Sequence, residues 1–169
     1  MSSRKLPLAL VFGLAGLAIA LDQLTKNMVR ARLELGETWV PFPALASIFD
    51  ITRTANTGSA FGLFQGGGFI ITIIAFVVSG AIIYYSFSLT RAQWPVALAL
   101  GLQLGGAIGN LIDRLRFGPV TDFIHVHNFP LFNVADASIS TGVAVLAVLL
   151  LFESRLEPPD AATEADVAA

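Results

Sequence analysis

The sequence predicts a helical membrane protein, with four transmembrane helices, a small β-sheet and a short interfacial helix. Three observations carry that prediction. Hydrophobic residues make up 55% of the 169 residues and charged ones only 13%, against about 25% charged in a soluble domain, and mean hydropathy is +0.74. Four apolar segments reach or approach the ~17–25 residues that cross a bilayer. Between the first two, residues 26–65 carry aromatic and β-branched side chains suited to short strands. The same composition excludes disorder for most of the chain. With no cysteine, disulfides, thiolate metal sites and thiol nucleophiles are excluded too. No basic patch suits nucleic acid.

The first span is expected over residues 6–24, apolar until Asp22. Arg4-Lys5 followed by an apolar run and Ala18-Ile19-Ala20 also fits a cleavable signal peptide. Asn27–Leu35 can continue as one or two amphipathic turns. Trp39-Val40-Pro41-Phe42-Pro43 reads as extended, and Leu45–Thr54 as strand. Gly66-Gly67-Gly68 should break the long uncharged stretch after Thr54, leaving a second span at 69–89. The third is expected at 93–112 and the fourth at 133–152. Glycines recur inside the spans, and small residues let membrane helices approach closely. The whole is one domain, 1–156, followed by an acidic, unstructured tail, 157–169. Residues 153–169 hold five acids and one Arg.

Four spans put both termini on one side and the 26–65 and 113–131 segments on the other. Lys and Arg do not decide the orientation. The terminal side carries Arg4, Lys5, Arg91 and Arg155, and the opposite side Lys26, Arg30, Arg32, Arg53, Arg114 and Arg116, whereas cytoplasmic loops are normally the more basic.

Ionisable residues near the membrane are costly and point to function. Span parity gathers Asp22, Asp113, Asp122 and Asp136 at one membrane face. Asp22 and Lys26 are spaced i,i+4 with the acid first, the favourable ion-pair order; this fits a helix-end salt bridge or support for a site. Asn110, Asp113 and Arg114 share one helix face, in either an anchoring or a supporting role, and the planar fork of Arg114 suits a carboxylate or phosphate. Asp122 lies between apolar neighbours in an extended segment. Asp136 falls about one turn inside the fourth span, either as an early-turn acid at a helix N-terminus or as a site carboxylate. Two facing carboxyls cannot both ionise readily, so one keeps a proton while the other acts as base. That is the chemistry of amide hydrolysis by an aspartic dyad.

Other chemistries are weakly signalled. His125 and His127 form His-x-His, with Asp122 the candidate third ligand of a metal site, but no Cys and no His-Glu-x-x-His accompanies them. They read as surface polar residues, and no metal or cofactor is expected. Ser59, Ser138 and Ser140 lack a base and a Gly-x-Ser-x-Gly context. A small proton-coupled transporter or binding protein is the alternative use of the acids. It requires acids along a path to both sides, and span 2 has none.

Five ordered motifs then carry a resemblance. They are Leu21-Asp22-Gln23-Leu24-Thr25-Lys26, Asn56-Thr57-Gly58-Ser59-Ala60-Phe61, Gly105-Gly106-Ala107-Ile108-Gly109-Asn110-Leu111-Ile112-Asp113-Arg114, Val120-Thr121-Asp122-Phe123 and Phe132-Asn133-Val134-Ala135-Asp136. Over residues 6–152 the chain resembles the bacterial signal peptidase II family, the lipoprotein signal peptidases. The resemblance implies a multi-pass aspartic endopeptidase of the bacterial inner membrane, with cytoplasmic termini and its sheet and active site on the extracytoplasmic face. The implied substrates are diacylglyceryl-modified prolipoproteins, cut just before the lipidated Cys, with membrane lipid as surroundings and the enzyme a monomer. Asp122 and Asp136 match the catalytic pair. Asn56, Arg114 and Asn133 match positions that support substrate and transition state. Asp22 and Lys26 match the first motif, and Gly106, Asn110 and Asp113 the third. Ser59 stands where many members have Ala.

Overall fold

The structure, a computed structural model, describes residues 5–58 and 68–153. The expected acidic tail, Arg4, Gly66, Gly67 and Ser59 lie outside the described residues. The order is α1 (Lys5–Arg32), β1 (Thr38–Trp39), β2 (Phe49–Asn56), α2 (Gly68–Ser86), α3 (Trp94–Phe117), β3 (Val120–Val126) and α4 (Val134–Glu153). Short 3-10 turns at Pro43–Leu45 and Arg91–Gln93 complete it. All four helices are long and apolar enough to cross a membrane.

Two helices outrun their expected spans. The amphipathic residues after Leu24 continue α1 without a break to Arg32. Helix α3 runs five residues past Ile112 to Phe117. In both cases the extension carries charged residues that end an apolar span by composition yet are good helix formers.

Helix α3 is the centre of the bundle. Just over half of its apolar window is buried, whereas α2 and α4 are about nine-tenths open to the surroundings. Its first half joins Val11 and Ala15 of α1, Ile82 of α2 and Leu89 in an apolar core through Ala97, Leu100 and Leu104. Its second half meets α1 and α4 through glycines. A Cβ at Gly106 would overlap the Ala135 carbonyl of α4, and one at Gly109 would come within 2.7 Å of Asp22 Oδ2. Neither helix could lie so close with an alanine there.

The three strands form an antiparallel sheet in the order β1-β2-β3. Phe49, Asp50 and Ile51 pair with Val126, His125 and Ile124, but Thr54, Ala55 and Asn56 pair with Asp122, Thr121 and Val120. The register slips by one residue between Ile51 and Thr54, an irregularity of the β-bulge type that re-aims the side chains beyond it. Asp50 and Asn56 are six residues apart and would share a face on a regular strand. The slip places them on opposite faces of the sheet.

The sheet is tied to the bundle at two points. Helix α3 ends at Gly118, whose φ of 87° and N–H bond back to the Arg114 carbonyl turn the chain directly into β3. A bridge between Ile124 and Phe132 then fastens the segment ahead of α4 to β3, with Ile124 N–H to Phe132 O at 2.8 Å and Phe132 N–H to Ile124 O at 3.1 Å. Through that bridge Asp136, fourteen positions after Asp122, returns to the neighbourhood of Asp122.

Candidate active site

Asn133 is the N-cap of α4, and the cap is also the meeting point of the two candidate carboxylates. Its Oδ1 accepts the Asp136 N–H at 3.0 Å, while Asp136 Oδ2 accepts the Asn133 N–H at 3.2 Å. This is the reciprocal arrangement of a capping box, with aspartate in the third position. The spare Nδ2 of Asn133 donates to Asp122 Oδ1 at 2.7 Å. On the other side Asn56 Nδ2 donates to Asp122 Oδ2 at 2.8 Å. Asp136 is thus a helix-end acid, and the cap that holds it also places it near Asp122.

Asn110 on α3 ties this pair to α1. Lys26 Nζ donates to Asn110 Oδ1 at 2.8 Å, and Asn110 Nδ2 donates to Asp136 Oδ1 at 2.8 Å. A lysine can only donate, so the amide oxygen must face it, leaving the amide nitrogen for Asp136. Asn110 Oδ1 also accepts from Asn133 at 3.2 Å. Behind it lie the charges that sequence spacing suggested. Lys26 pairs with Asp22 at 2.9 Å and Asp113 at 3.5 Å, all three side chains fully buried. Arg30 adds a second cation on Asp113 at 3.2 Å. Two acids and two bases balance, which is what makes their burial tolerable. They also reach outward. Asp22 Oδ1 accepts the Ala135 N–H in the first turn of α4, and Asp113 Oδ2 accepts the Thr121 N–H of β3.

Burial pushes the Asp122 carboxyl up to about 6, and the nearby Asp136 charge adds to the rise; the Asn56 and Asn133 amides and the Lys26 charge act against it. Each of the four carboxylate oxygens of the pair accepts one hydrogen bond from the amides described, which leaves each capacity for another. The Arg114 guanidinium is partly buried and close enough to interact with the charges of Asp113, Asp122 and Asp136. It makes no hydrogen bond among the described residues and faces a cleft of about 640 Å³ between α2 and α3, lined by Phe69, Thr72, Ile73 and Phe76.

The structure thus joins Asp22, Lys26, Asn56, Asn110, Asp113, Asp122, Asn133 and Asp136 in one network. Arg114 stands at its edge, and Gly106 lies under the first turn of α4 as a packing contact. Three members were missed from the sequence. Gln23 donates to Asp22, the Gly109 carbonyl and Asp113. Arg30 and Thr121 meet at 2.8 Å. Arg30 continues the i,i+4 series from Asp22 and Lys26, a signal present in the spacing; Gln23 and Thr121 stand inside two of the five motifs, although neither residue type by itself signals a role.

One expectation is corrected. Asp122 is not a partner of His125 and His127. It lies three residues from His125, an odd spacing that puts the two on opposite faces of a strand. The acid beside the histidines is Asp50, whose ionised form is favoured chiefly by the Thr52 hydroxyl against the cost of burial, with help from both imidazoles.

The sequence profile of signal peptidase (SPase) II matches residues 14–152. The chain belongs to the signal peptidase II family. It is 42% identical to the lipoprotein signal peptidase of Bacillus subtilis over 149 residues, covering 86% of this chain and 95% of that protein. With that of Desulfitobacterium hafniense it shares 38% over 143 residues, 84% and 93% of the two chains. Two bacterial membrane enzyme structures solved by the in meso method have the same fold. The one at 2.3 Å resolution has a TM-score of 0.78 at 28% identity, over 87% of this chain and 91% of that one. The one at 1.9 Å has a TM-score of 0.73 at 30% identity, over 82% and 90%. This signal peptidase II is an aspartic protease, and the transporter alternative is not favoured.

Proposed function

We propose that this enzyme removes signal peptides from diacylglyceryl-modified prolipoproteins, with Asp122 and Asp136 as its catalytic pair. The observation that carries the pairing is Asn133, which holds Asp122 through its side chain and Asp136 through its cap. One carboxylate takes a proton from water as the water oxygen attacks the scissile carbonyl carbon. The other, protonated, gives its proton to the carbonyl oxygen as the tetrahedral centre forms. The first then protonates the leaving nitrogen, the C–N bond breaks, and the second recovers its proton as the new carboxyl group forms. A carboxyl titrating at about 6 exchanges protons readily near neutrality, as this cycle demands. Asn56, Asn110 and Asn133 hold the pair in register, and Arg114 supplies a cation at the mouth of the α2–α3 cleft. The apolar lining of that cleft suits a signal helix arriving from the bilayer, with its lipid chains left in the membrane.

The termini are cytoplasmic in this reading, and the sheet and acids lie at the extracytoplasmic face of the bacterial inner membrane, with the enzyme acting as a monomer. Purified enzyme should convert a diacylglyceryl-modified prepro-substrate to a smaller species on a gel. Asp122→Asn and Asp136→Asn should each lower turnover by at least the ~10²–10⁴-fold of lost acid–base catalysis; near-normal turnover by either rules out the dyad. Because the chain has no native Cys, Arg53→Cys and Arg91→Cys report orientation directly. An impermeant thiol reagent applied from outside should label only Arg53→Cys.

A further inference from the structure

The reaction leaves one cluster of titratable side chains unused, at the far end of the β2–β3 ladder. Asp50 Oδ2 lies 3.0 Å from His125 Nδ1 and 2.9 Å from His127 Nε2. One potential ligand atom from each of the three residues lies within 4.8 Å of the others. Ligands about 2.0–2.1 Å from a tetrahedral zinc ion sit ~3.3 Å from one another. The two carboxylate–imidazole spacings therefore need open by only a few tenths of an ångström, while the two imidazole nitrogens, within 4.8 Å of each other, draw together by side-chain rotation to share an ion.

The surroundings are those of a built site. Asp50 and His125 are directly opposed on neighbouring strands, and His127 extends the ladder through its N–H to Ile48 O at 2.9 Å, so all three ligands ride on hydrogen-bonded backbone. Behind the carboxylate, Thr52 donates to Asp50 Oδ1 at 2.6 Å and itself contacts the Thr38 hydroxyl of β1 at 2.7 Å. Outer contacts of this kind fix a ligand's orientation. The Asp50 side chain is 9% exposed, but the two imidazoles are 30% and 34% exposed, so solvent can reach the open coordination position.

We propose that Asp50, His125 and His127 bind a first-row divalent transition cation such as zinc. Two imidazoles and a carboxylate suit that class, whereas magnesium and calcium prefer all-oxygen sets. The ion takes the place of any ring proton that faces Asp50, and each imidazole binds as the neutral ligand with its one proton on the other ring nitrogen. It would clip together the two strands whose other end presents Asn56 and Asp122. The register slip makes this possible, since it sets Asp50 on the face away from Asn56.

The chain has only two histidines and no cysteine, which makes the test clean. Full-length enzyme purified without a polyhistidine tag and stripped with a chelator is titrated with ZnCl2 against a zinc-indicator dye. The expected result is one equivalent per chain, a zinc-dependent rise in Tm, and perturbation of both imidazole signals in the NMR spectrum. The equivalent should vanish in the His125→Ala/His127→Ala double variant and persist in Asp122→Asn. Thr52→Val, which keeps all three ligands, should weaken binding by ~10–100-fold, the usual cost of an outer-shell partner. Helical circular dichroism of each variant reports that it is folded. No equivalent in the wild type, or equal binding by the folded double variant, overturns the proposal.

Discussion

The two halves of α3 are packed by different chemistry. From Ala97 to Leu104 the helix meets Val11, Ala15, Ile82 and Leu89 in an aliphatic cluster, with Gly101 set close against the α1 backbone. From Gly105 to Arg114 its neighbours are Asp22, Lys26, Arg30, Ala135 and Asp136, joined mostly through hydrogen bonds and ion pairs. In water the first half would dominate stability. In a bilayer, lipid tails are as apolar as leucine, so aliphatic contact between helices gains only packing. The polar half has no comparable substitute for its partners in lipid. It therefore fixes which helix faces meet, and with them the geometry of the acid pair.

The sharpest way to break that comparison is Lys26→Met. It leaves Asp22 with no ion-pair partner among the described residues and Asp113 paired with Arg30, and removing one partner of a buried ion pair typically costs ~3–5 kcal/mol. Thermal unfolding in detergent should show a large fall in Tm, and cleavage should fall steeply because Asn110 loses the shorter of the two hydrogen bonds that orient it. Leu104→Ala is the matched change in the apolar half. It should cost less than the ~2–5 kcal/mol of soluble cores and leave turnover close to wild type. If Leu104→Ala destabilises as much as Lys26→Met, the division between the halves is wrong.

Gly106→Ala tests the junction between them. Its Cβ must displace the Ala135 carbonyl, and overpacking of this kind costs ~1–3 kcal/mol. Turnover should fall further than stability, because the displaced turn carries Asp136. Gly13→Ala is the control, with nothing within 4 Å of the added Cβ, and should be neutral or mildly stabilising. The smallest expected effect is a pH shift in Asn56→Ala. The Asn56 amide donates to Asp122 and favours its ionised form. Without that bond the carboxyl titrates higher, and the limb of the kcat/KM profile that Asp122 sets moves to higher pH. A profile whose limbs both stay in place or move down would detach Asn56 from Asp122.

Much of this was legible before any fold was known. Apolar runs of spanning length announced the helices, because a bilayer demands that every backbone group be satisfied within its own segment. The scarcity of charge made Asp22, Asp113, Asp122 and Asp136 conspicuous, and span parity put them at one face. The Asp22, Lys26 and Arg30 series was written in helical spacing. The charged ends of α1 and α3 were less legible, since composition marks where a span stops being apolar and not where a helix stops.

The tertiary structure alone decided the rest. Nothing in Ile124 or Phe132 foretells that their backbones bridge, yet that bridge brings Asn133 and Asp136 to Asp122. Alternation along β2 would have placed Asp50 and Asn56 together, and the one-residue slip separates them, sending Asn56 to the acid pair and Asp50 to the histidines. The physical reason is the same in both cases. Side-chain chemistry and helical period are local and readable from one segment, whereas strand register is a property of two segments, set only when their backbones meet.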